Sequence, residues 1–437
     1  MMGLSEREAF ASLEKRLQAE ASPGTRPGLS RLARLCSCLD HPERTFQAVH
    51  IVGTNGKGST ASSLASILDE AGLRVGLYTS PHLESLGERL RLDGEELPLS
   101  LWERGSDVVL RALDSDPLLR IDPPTLFELL TALAFWLLRE SGCRLAVFEA
   151  GMGGRLDATN LLPRVVLTLV TPIADDHGDY LGKTIEAIAE EKFAVLRPGV
   201  TALFAGGDTH LEERFLRRAQ ASGARGFLLS QWPLFGIRCT DRGTAFRLDL
   251  SDGPRDFFSP LLGRHQATNA AMALCGAHFL KAFFPSLLDE ETLARGLSRT
   301  FWPGRMEILS REPIVILDGG HNPHGLTATL RSVSDIWGEE RRRRALFAAM
   351  ADKDFRSELA LFREGRWDVV FTEVPNLSRG ASVAALAEAA ASVGLTNFLC
   401  EPRLDRAFSL AVEGSDLLLC TGSLYLVGAL RSLLRAA

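Results

Sequence analysis

The stretch His50-Ile51-Val52-Gly53-Thr54-Asn55-Gly56-Lys57-Gly58-Ser59-Thr60 decides the fold. The apolar run from Phe46 to Val52, interrupted by Gln47 and His50, reads as a buried strand. A glycine-rich turn follows. Beyond it Ala61, Leu64, Ala65, Leu68 and Ala71 recur at helical spacing. Strand, glycine loop and helix N-terminus make a phosphate cradle. Glycines let backbone N–H groups approach an anion, and the helix start adds unpaired donors and partial positive charge. Lys57 would supply a full charge, and Ser59 or Thr60 a hydroxyl for phosphate or magnesium. The common nucleotide-binding loop puts its hydroxyl residue directly after the lysine, whereas Gly58 intervenes here. An ordinary strand-to-helix turn is therefore the competing reading.

Working outward, residues 5 to 20 and Leu29 to Leu39 read as amphipathic helices, separated by the Pro- and Gly-containing break Pro23 to Gly28. Leu73 to Tyr78 is a short strand ending in Thr79-Ser80-Pro81-His82, and His82 to Pro98 reads as a charged, mobile loop. Leu126 to Leu138 is a buried helix, with Thr125 and Glu128 at the spacing of a capping box. Leu145 to Phe148 and Val165 to Val170 are strands, and Thr184 to Leu196 is a helix stopped by Pro198-Gly199. Residues 234 to 260 suggest antiparallel hairpins, and Asn269 to Phe284 a small-residue helix. After a linker at Thr300 to Arg305 a fresh series begins, with strands at Ile314–Leu317, Ala345–Met350, Val369–Thr372 and Leu417–Cys420. This alternation predicts an α/β protein: a large mainly parallel-sheet domain of the phosphate-loop type at 1–298, and a smaller Rossmann-like α/β domain at 299–437.

Composition narrows the function classes. The 437 residues are long enough for two cores, and 46% apolar with 24% charged residues is ordinary for a globular protein. A net charge of −6 leaves no electrostatic footprint for nucleic acid or an anionic membrane. The one basic cluster, Arg341 to Arg344, precedes an apolar segment and reads as a solvated strand start. Seven scattered cysteines without paired spacing argue against a disulfide framework or zinc site and fit a reducing cytoplasm. No apolar run reaches membrane-spanning length, and the start of the chain lacks a signal-like apolar core.

Three further residues follow strand ends, where α/β proteins assemble their sites: Ser80, Glu149 and His177. Glu149 suits magnesium, which takes a few hard oxygen ligands and keeps its waters, but a surface carboxylate in a turn has the same sequence. A lone histidine after a strand is more often structural than a ligand. On residue physics alone Lys192 points outward and pairs with a neighbouring acid.

The chain resembles the folylpolyglutamate synthase/dihydrofolate synthase family of the Mur ligase superfamily. The resemblance is carried by Gly53 to Thr60, Ser80-Pro81-His82-Leu83, Thr125-Leu126-Phe127-Glu128, Gly153 to Asn160, Asp176-His177, Glu191-Lys192, His265-Gln266 with Asn269, Trp302 to Arg305, Asp318 to Pro323, Asp352 to Asp354 and Gly422 to Tyr425. It implies that Gly56, Lys57, Gly58, Ser59 and Thr60, with Asn269, Arg305 and Asp318, bind ATP. It implies that Ser80, Glu149 and His177 hold magnesium, with Lys192, carbamylated, on a second ion. Lys57, Lys192 and His177 would be the catalytic set. Thr125, Leu126, Phe127, Glu128, Leu156, Asp157 and Ala158 would line a pterin or folate site, and His321 and Ser423 would meet the incoming glutamate. Two departures stand out: Phe193-Ala194-Val195 replaces the family's Ala-Gly-Ile after the lysine, and Gly320 replaces an alanine.

The implied reaction is ATP-dependent amide formation between L-glutamate and dihydropteroate or a folate, through an acyl phosphate shielded from water by closure of the second domain. The expected partners are small molecules, with two magnesium ions and no organic prosthetic group. The expected protein is a cytoplasmic monomer that binds neither nucleic acid nor membrane. A related ligase acting on cell-wall precursors and a non-catalytic, nucleotide-dependent regulator are the rival readings.

Overall fold

The computed structural model describes all residues except 1–3, 176–181, 183, 251–252, 376, 378 and 437. Two units emerge. The first comprises Met1–Phe235, Arg247–Phe257 and Thr268–Thr300; the second comprises Gly236–Phe246, Phe258–Ala267 and Phe301–Ala437.

The first unit is built on eight strands: β1 (Gln47–Val52), β2 (Val75–Tyr78), β3 (Leu90–Leu92), β4 (Glu95–Glu96), β5 (Leu145–Glu149), β6 (Val165–Val170), β7 (Thr201–Phe204) and β8 (Arg225–Leu228). They lie in the order β4-β3-β2-β5-β1-β6-β7-β8. From β2 to β8 all pairings are parallel, and β3 and β4 add antiparallel strands at one edge. The chain leaves β1 towards β5 and β2 on one side and later places β6 on the other. That reversal opens a crevice at the carboxyl end of β1.

The register fixes what meets there. Ile51 lies beside Glu149, Val52 beside Val170, and Tyr78 beside Phe148. Four loops therefore leave the same sheet edge side by side: those after β1, β2, β5 and β6. The helix Leu126–Glu140 is buried almost throughout, and the predicted capping box forms at Thr125 and Glu128. Behind the helix Ile185–Phe193, Phe193, Phe204 and Phe215 pack with ring centroids 5.3–5.4 Å apart. Each such fully buried ring contributes about 1.5–3 kcal/mol of apolar burial.

Some expectations require correction. The segment 82–98 is not an irregular loop. Ser85 and Glu88 form a capping box, and Leu86, Leu90 and Leu92 are buried as the segment supplies β3 and β4. The charged residues between these leucines hid a short amphipathic pattern. The helix Leu99–Ser115 escaped the sequence reading. The Arg341–Arg344 cluster is not simply solvated: Arg344 is buried and donates to the carbonyls of Leu410 and Glu413, and Arg343 stacks over Trp367.

Three consecutive strands, β9 (Leu234–Thr240), β10 (Gly243–Asp249) and β11 (Pro254–Ser259), form a small sheet in the order β11-β10-β9. The second unit carries β12 (Glu307–Arg311), β13 (Ile314–Leu317), β14 (Arg343–Phe347), β15 (Asp368–Phe371), β16 (Phe398–Cys400) and β17 (Leu417–Thr421). Their order is β12-β13-β17-β14-β15-β16, with only β12 antiparallel. Among the described residues no helix is long and apolar enough to cross a membrane.

Candidate active site

The loop after β1 is shaped by two glycines. Gly53 has φ +146°, and a Cβ there would lie 1.9 Å from the Thr171 hydroxyl. Gly56 has φ +88°, and a Cβ would lie 2.2 Å from Asn269 Oδ1. No other residue type fits either position without displacing its neighbour. The Asn269 side chain thus rests directly on the phosphate loop. The loop after β6 clamps the other side: Thr54 and Asn55 N–H donate to the Pro172 carbonyl (3.0 and 3.3 Å), and Thr54 Oγ1 donates to the Ala174 carbonyl at 3.0 Å. Thr171, Pro172 and Ala174 were missed from the sequence. These contacts run largely through backbone, which side-chain types do not announce.

Helix Lys57–Glu70 starts at this loop, with Gly56 as its N-cap. Lys57 Nζ donates to the carbonyls of Thr54 (3.0 Å) and Gly53 (3.3 Å). Gly58, Ser59 and Thr60 form the first turn, with Ser59 and Thr60 buried. Lys192 arrives from the helix Ile185–Phe193 and donates to the same Gly53 carbonyl at 2.7 Å. It is 3% exposed, which overturns the outward reading. The reason is local. Phe193, its neighbour in sequence, is fully buried among Phe204 and Phe215 and anchors the helix, while Gly154 lets the preceding loop approach it. A Cβ on Gly154 would lie 2.6 Å from the Glu191 carbonyl. Arg155 completes the joint through its N–H to that carbonyl (3.0 Å) and its guanidinium to the Glu191 carboxylate (2.9 Å).

Between these elements lies a cavity lined by Gly53, Thr54, Lys57, Ala150, Gly151, Met152, Gly153 and Lys192. Two lysines in one small cavity make it a place that favours anions. Glu149 ends β5 beside this cavity and is 5% exposed, which excludes the surface-turn alternative. Its Oε2 accepts from Ser80 N–H at 3.2 Å, so the magnesium candidates after β2 and at the end of β5 are neighbours. His177 and Asp176 lie outside the described residues. Among the described residues no three His, Cys, Asp or Glu side chains cluster as a ligand set. His82 is half-buried and accepts at Nδ1 from Arg89 at 2.9 Å; partial burial and that guanidinium push its pKa down to about 3.

The pterin candidates fall into two groups. Phe127 lies over Gly151, where a Cβ would come within 2.5 Å of the ring, and Leu126 is half-buried at the helix start. Leu156 is exposed and Ala158 buried. Thr125 and Glu128 are occupied with each other. Glu128 Oε2 accepts from Thr125 N–H (2.7 Å), Thr125 Oγ1 (2.9 Å) and Arg31 Nε (3.2 Å), while Oε1 is buried with no partner among the described residues. Asp157 accepts from Met152 N–H (2.8 Å), Thr159 N–H (2.9 Å) and the Thr159 hydroxyl. Burial raises its pKa against those donors.

In the second unit, Asp318 follows β13. Its Oδ2 accepts from Met306 N–H (3.0 Å), and its Oδ1 from Gly320 N–H (3.0 Å) and Thr329 Oγ1 (2.7 Å). Arg305 lies against Gly319, where a Cβ would stand 2.3 Å from Nη1. His321 Nδ1 pairs with the Gly319 carbonyl at 3.0 Å. Ser423, buried after β17, accepts from Tyr425 N–H at 3.1 Å. β13 and β17 are paired, and Gly422 N–H donates to the Gly320 carbonyl at 3.0 Å, so the two glutamate-candidate segments are adjacent.

A phosphate loop at the switch point of one sheet and a second parallel-sheet unit define an ATP-dependent ligase of the Mur type. Residues 118–277 match the Mur ligase middle domain, and residues 304–424 match the Mur ligase glutamate ligase domain. The chain is 30% identical over 416 residues to dihydrofolate synthase/folylpolyglutamate synthase of Bacillus subtilis, covering 94% of this chain and 96% of that one. To folylpolyglutamate synthase of Lacticaseibacillus casei it is 30% identical over 418 residues, covering 92% and 94%. Mycobacterium tuberculosis folylpolyglutamate synthase complexed with ADP and AMPPCP superposes with a TM-score of 0.88 at 30% identity, covering 98% of each chain. E. coli FolC in complex with DHPP and ADP gives 0.84 at 29%, again covering 98% of each. The chain belongs to the folylpolyglutamate synthase/dihydrofolate synthase family.

Proposed function

We propose that the protein uses ATP to join the amine of L-glutamate to the carboxylate of dihydropteroate or of a folate. One observation carries the reading: Lys57 and Lys192 converge on the Gly53 carbonyl, in a cavity walled by the phosphate loop and the Gly151–Gly153 loop. A carboxylate resists amide formation because oxide is a poor leaving group. Transfer of the ATP γ-phosphoryl group to it gives an acyl phosphate. The amine then attacks the carbonyl carbon, loses a proton, and phosphate departs.

In this reading the N–H groups of Gly56 to Ser59 hold the ATP phosphates, and Lys57 leaves its loop carbonyls to neutralise the transferring group. Asn269, packed on Gly56, meets the nucleotide, and Arg305 and Asp318 are assigned to it from the second unit. Ser80 and Glu149, joined by His177, would hold magnesium. Their hard oxygens and adjacency suit that ion, which would supply charge neutralisation at the phosphoryl oxygens. Lys192 as an ammonium is no ligand. Reaction of its neutral amine with carbon dioxide, with loss of a proton, would make it an anionic oxygen donor beside Lys57.

Phe127, Leu126, Leu156 and Ala158 supply the apolar wall of the acceptor pocket. The unpartnered Oε1 of Glu128 suits the N–H donors of a pterin ring, and Asp157 and Thr125 shape the same pocket. His321 and Ser423 are assigned to glutamate. The test is a steady-state assay with dihydropteroate and tetrahydrofolate, each with glutamate and ATP, following ADP release. Turnover requiring both glutamate and one of these acceptors is expected. ADP release indifferent to both acceptors would refute the proposal.

A further inference from the structure

Beyond these residues, a buried histidine on the central strand is tied to the acceptor side of the site. His50 lies on β1 and is fully buried. Its Nε2 sits 2.8 Å from Thr159 Oγ1. The Thr159 hydroxyl donates to Asp157 Oδ1, so its oxygen accepts from His50, and Nε2 carries the hydrogen. Nδ1 is buried without a partner among the described residues. Burial, with Arg197 nearby, pushes the pKa of His50 down to about 3, which keeps the ring neutral and the tautomer fixed. Asp157 in turn receives Met152 N–H at 2.8 Å and faces Gly151 N–H. Gly151 and Met152 line the cavity, and the Phe127 ring lies on Gly151. A side chain three residues before Gly53 thus holds, through three hydrogen bonds in series, the loop on which Phe127 and the cavity meet.

We propose that His50 is a positioning residue for the acceptor: through Thr159 and Asp157 it sets the backbone of Gly151 and Met152 against the acceptor pocket. The inference rests on the reading of Phe127 and Asp157 as lining that pocket. A relay of this kind differs from simple core packing. Packing depends on shape, whereas the relay depends on one hydroxyl and one N–H. Thr159→Val keeps the shape and removes the hydroxyl; Thr159→Ser keeps the hydroxyl. His50→Gln offers an amide N–H near the place of Nε2, and His50→Leu does not.

The experiment measures KM for ATP and for whichever of dihydropteroate and tetrahydrofolate the native protein turns over, together with the thermal midpoint. Asp157→Asn is included as a control on the pocket itself. Thr159→Val is expected to raise the acceptor KM about tenfold with the ATP KM changed less than about twofold, the loss of one buried hydrogen bond. Thr159→Ser should restore it, and His50→Gln should lie closer to the native protein than His50→Leu. If Asp157→Asn raises the acceptor KM while Thr159→Val does not, the relay is wrong and the pocket stands. If neither moves it, the pocket reading fails and takes the relay with it. If Thr159→Val moves both KM values together with the thermal midpoint, the role is packing and the proposal is overturned. Should His50→Leu not fold, the Thr159 pair decides.

Discussion

At the end of β1 two lysines, Lys57 and Lys192, donate to the carbonyls of Gly53 and Thr54. At the end of β13 a carboxylate, Asp318, accepts from two amides and a hydroxyl of its own unit. Both places lie beyond parallel strands, where α/β folds gather function. Both lysines donate to backbone carbonyls, which an incoming phosphate, carrying full charge, would outcompete. The anion has both oxygens engaged in charge-assisted bonds within its own unit. The first arrangement is ready to be redirected by a ligand. The second makes Asp318 a structural staple, whatever it adds to nucleotide binding.

The sharpest way to break the comparison is Lys57→Ala. ATP turnover should fall by about a hundredfold or more, since one aimed charge or donor at a transferring group is worth that much. The fold should persist, because its partners are carbonyls that water can also satisfy. Near-native turnover in a folded variant would remove the lysine from the chemistry. Next is Lys192→Ala, expected to lose most ligase activity while calorimetry still shows ATP binding. Short carboxylic acids should restore part of the activity if a carbamate is what is missing. An unmodified mass for the native chain, with no rescue, would eliminate the carbamate.

The third probe tests the staple. Asp318→Asn should cost about 1–3 kcal/mol of local stability. The readout is faster hydrogen exchange at the amides of Met306 and Gly320. Unchanged protection with a raised ATP KM would reverse the assignment from staple to ligand contact.

How much was legible follows the same division. Strands Val165–Val170 and Ile314–Leu317 were read to the residue, because strands buried between neighbours on both sides are nearly continuous apolar runs. The turn after β1 and the Gly153–Asn160 segment announced themselves through glycines. The helix Leu99–Ser115 did not, since Gly105-Ser106-Asp107 weakens its local propensity. Gly105 is there for packing: a Cβ would come within 2.7 Å of Leu133 and 2.9 Å of Trp136 on the neighbouring helix. The inward turn of Lys192 was also illegible, because it depends on Phe193 and Gly154 finding partners distant in sequence. The His50–Thr159 contact spans 109 positions and has no local trace.

The smallest expected effect concerns pH. The pKa of His50 is about 3 in the folded chain and near 6.5 when unfolded. The unfolded chain therefore binds the extra proton as pH falls below 6.5. The stability that His50 contributes by being neutral is complete above that value and is lost progressively towards pH 3. His50→Gln should flatten the fall of the thermal midpoint between about pH 6.5 and 5, by at most one proton's slope. An unchanged slope would mean that the ring is protonated in the fold.

The edge strand β4 carries a further consequence. The large sheet ends, on that side, in two residues, Glu95 and Glu96, rather than in a long apolar ribbon. An unpaired strand edge is a template on which a second chain can add by backbone hydrogen bonding. On this strand Glu95 is exposed while Glu96 is half-buried beside Arg91, and two residues leave few backbone groups to pair. The segment after His82 thus closes that side of the sheet with an edge too short to serve as a long template.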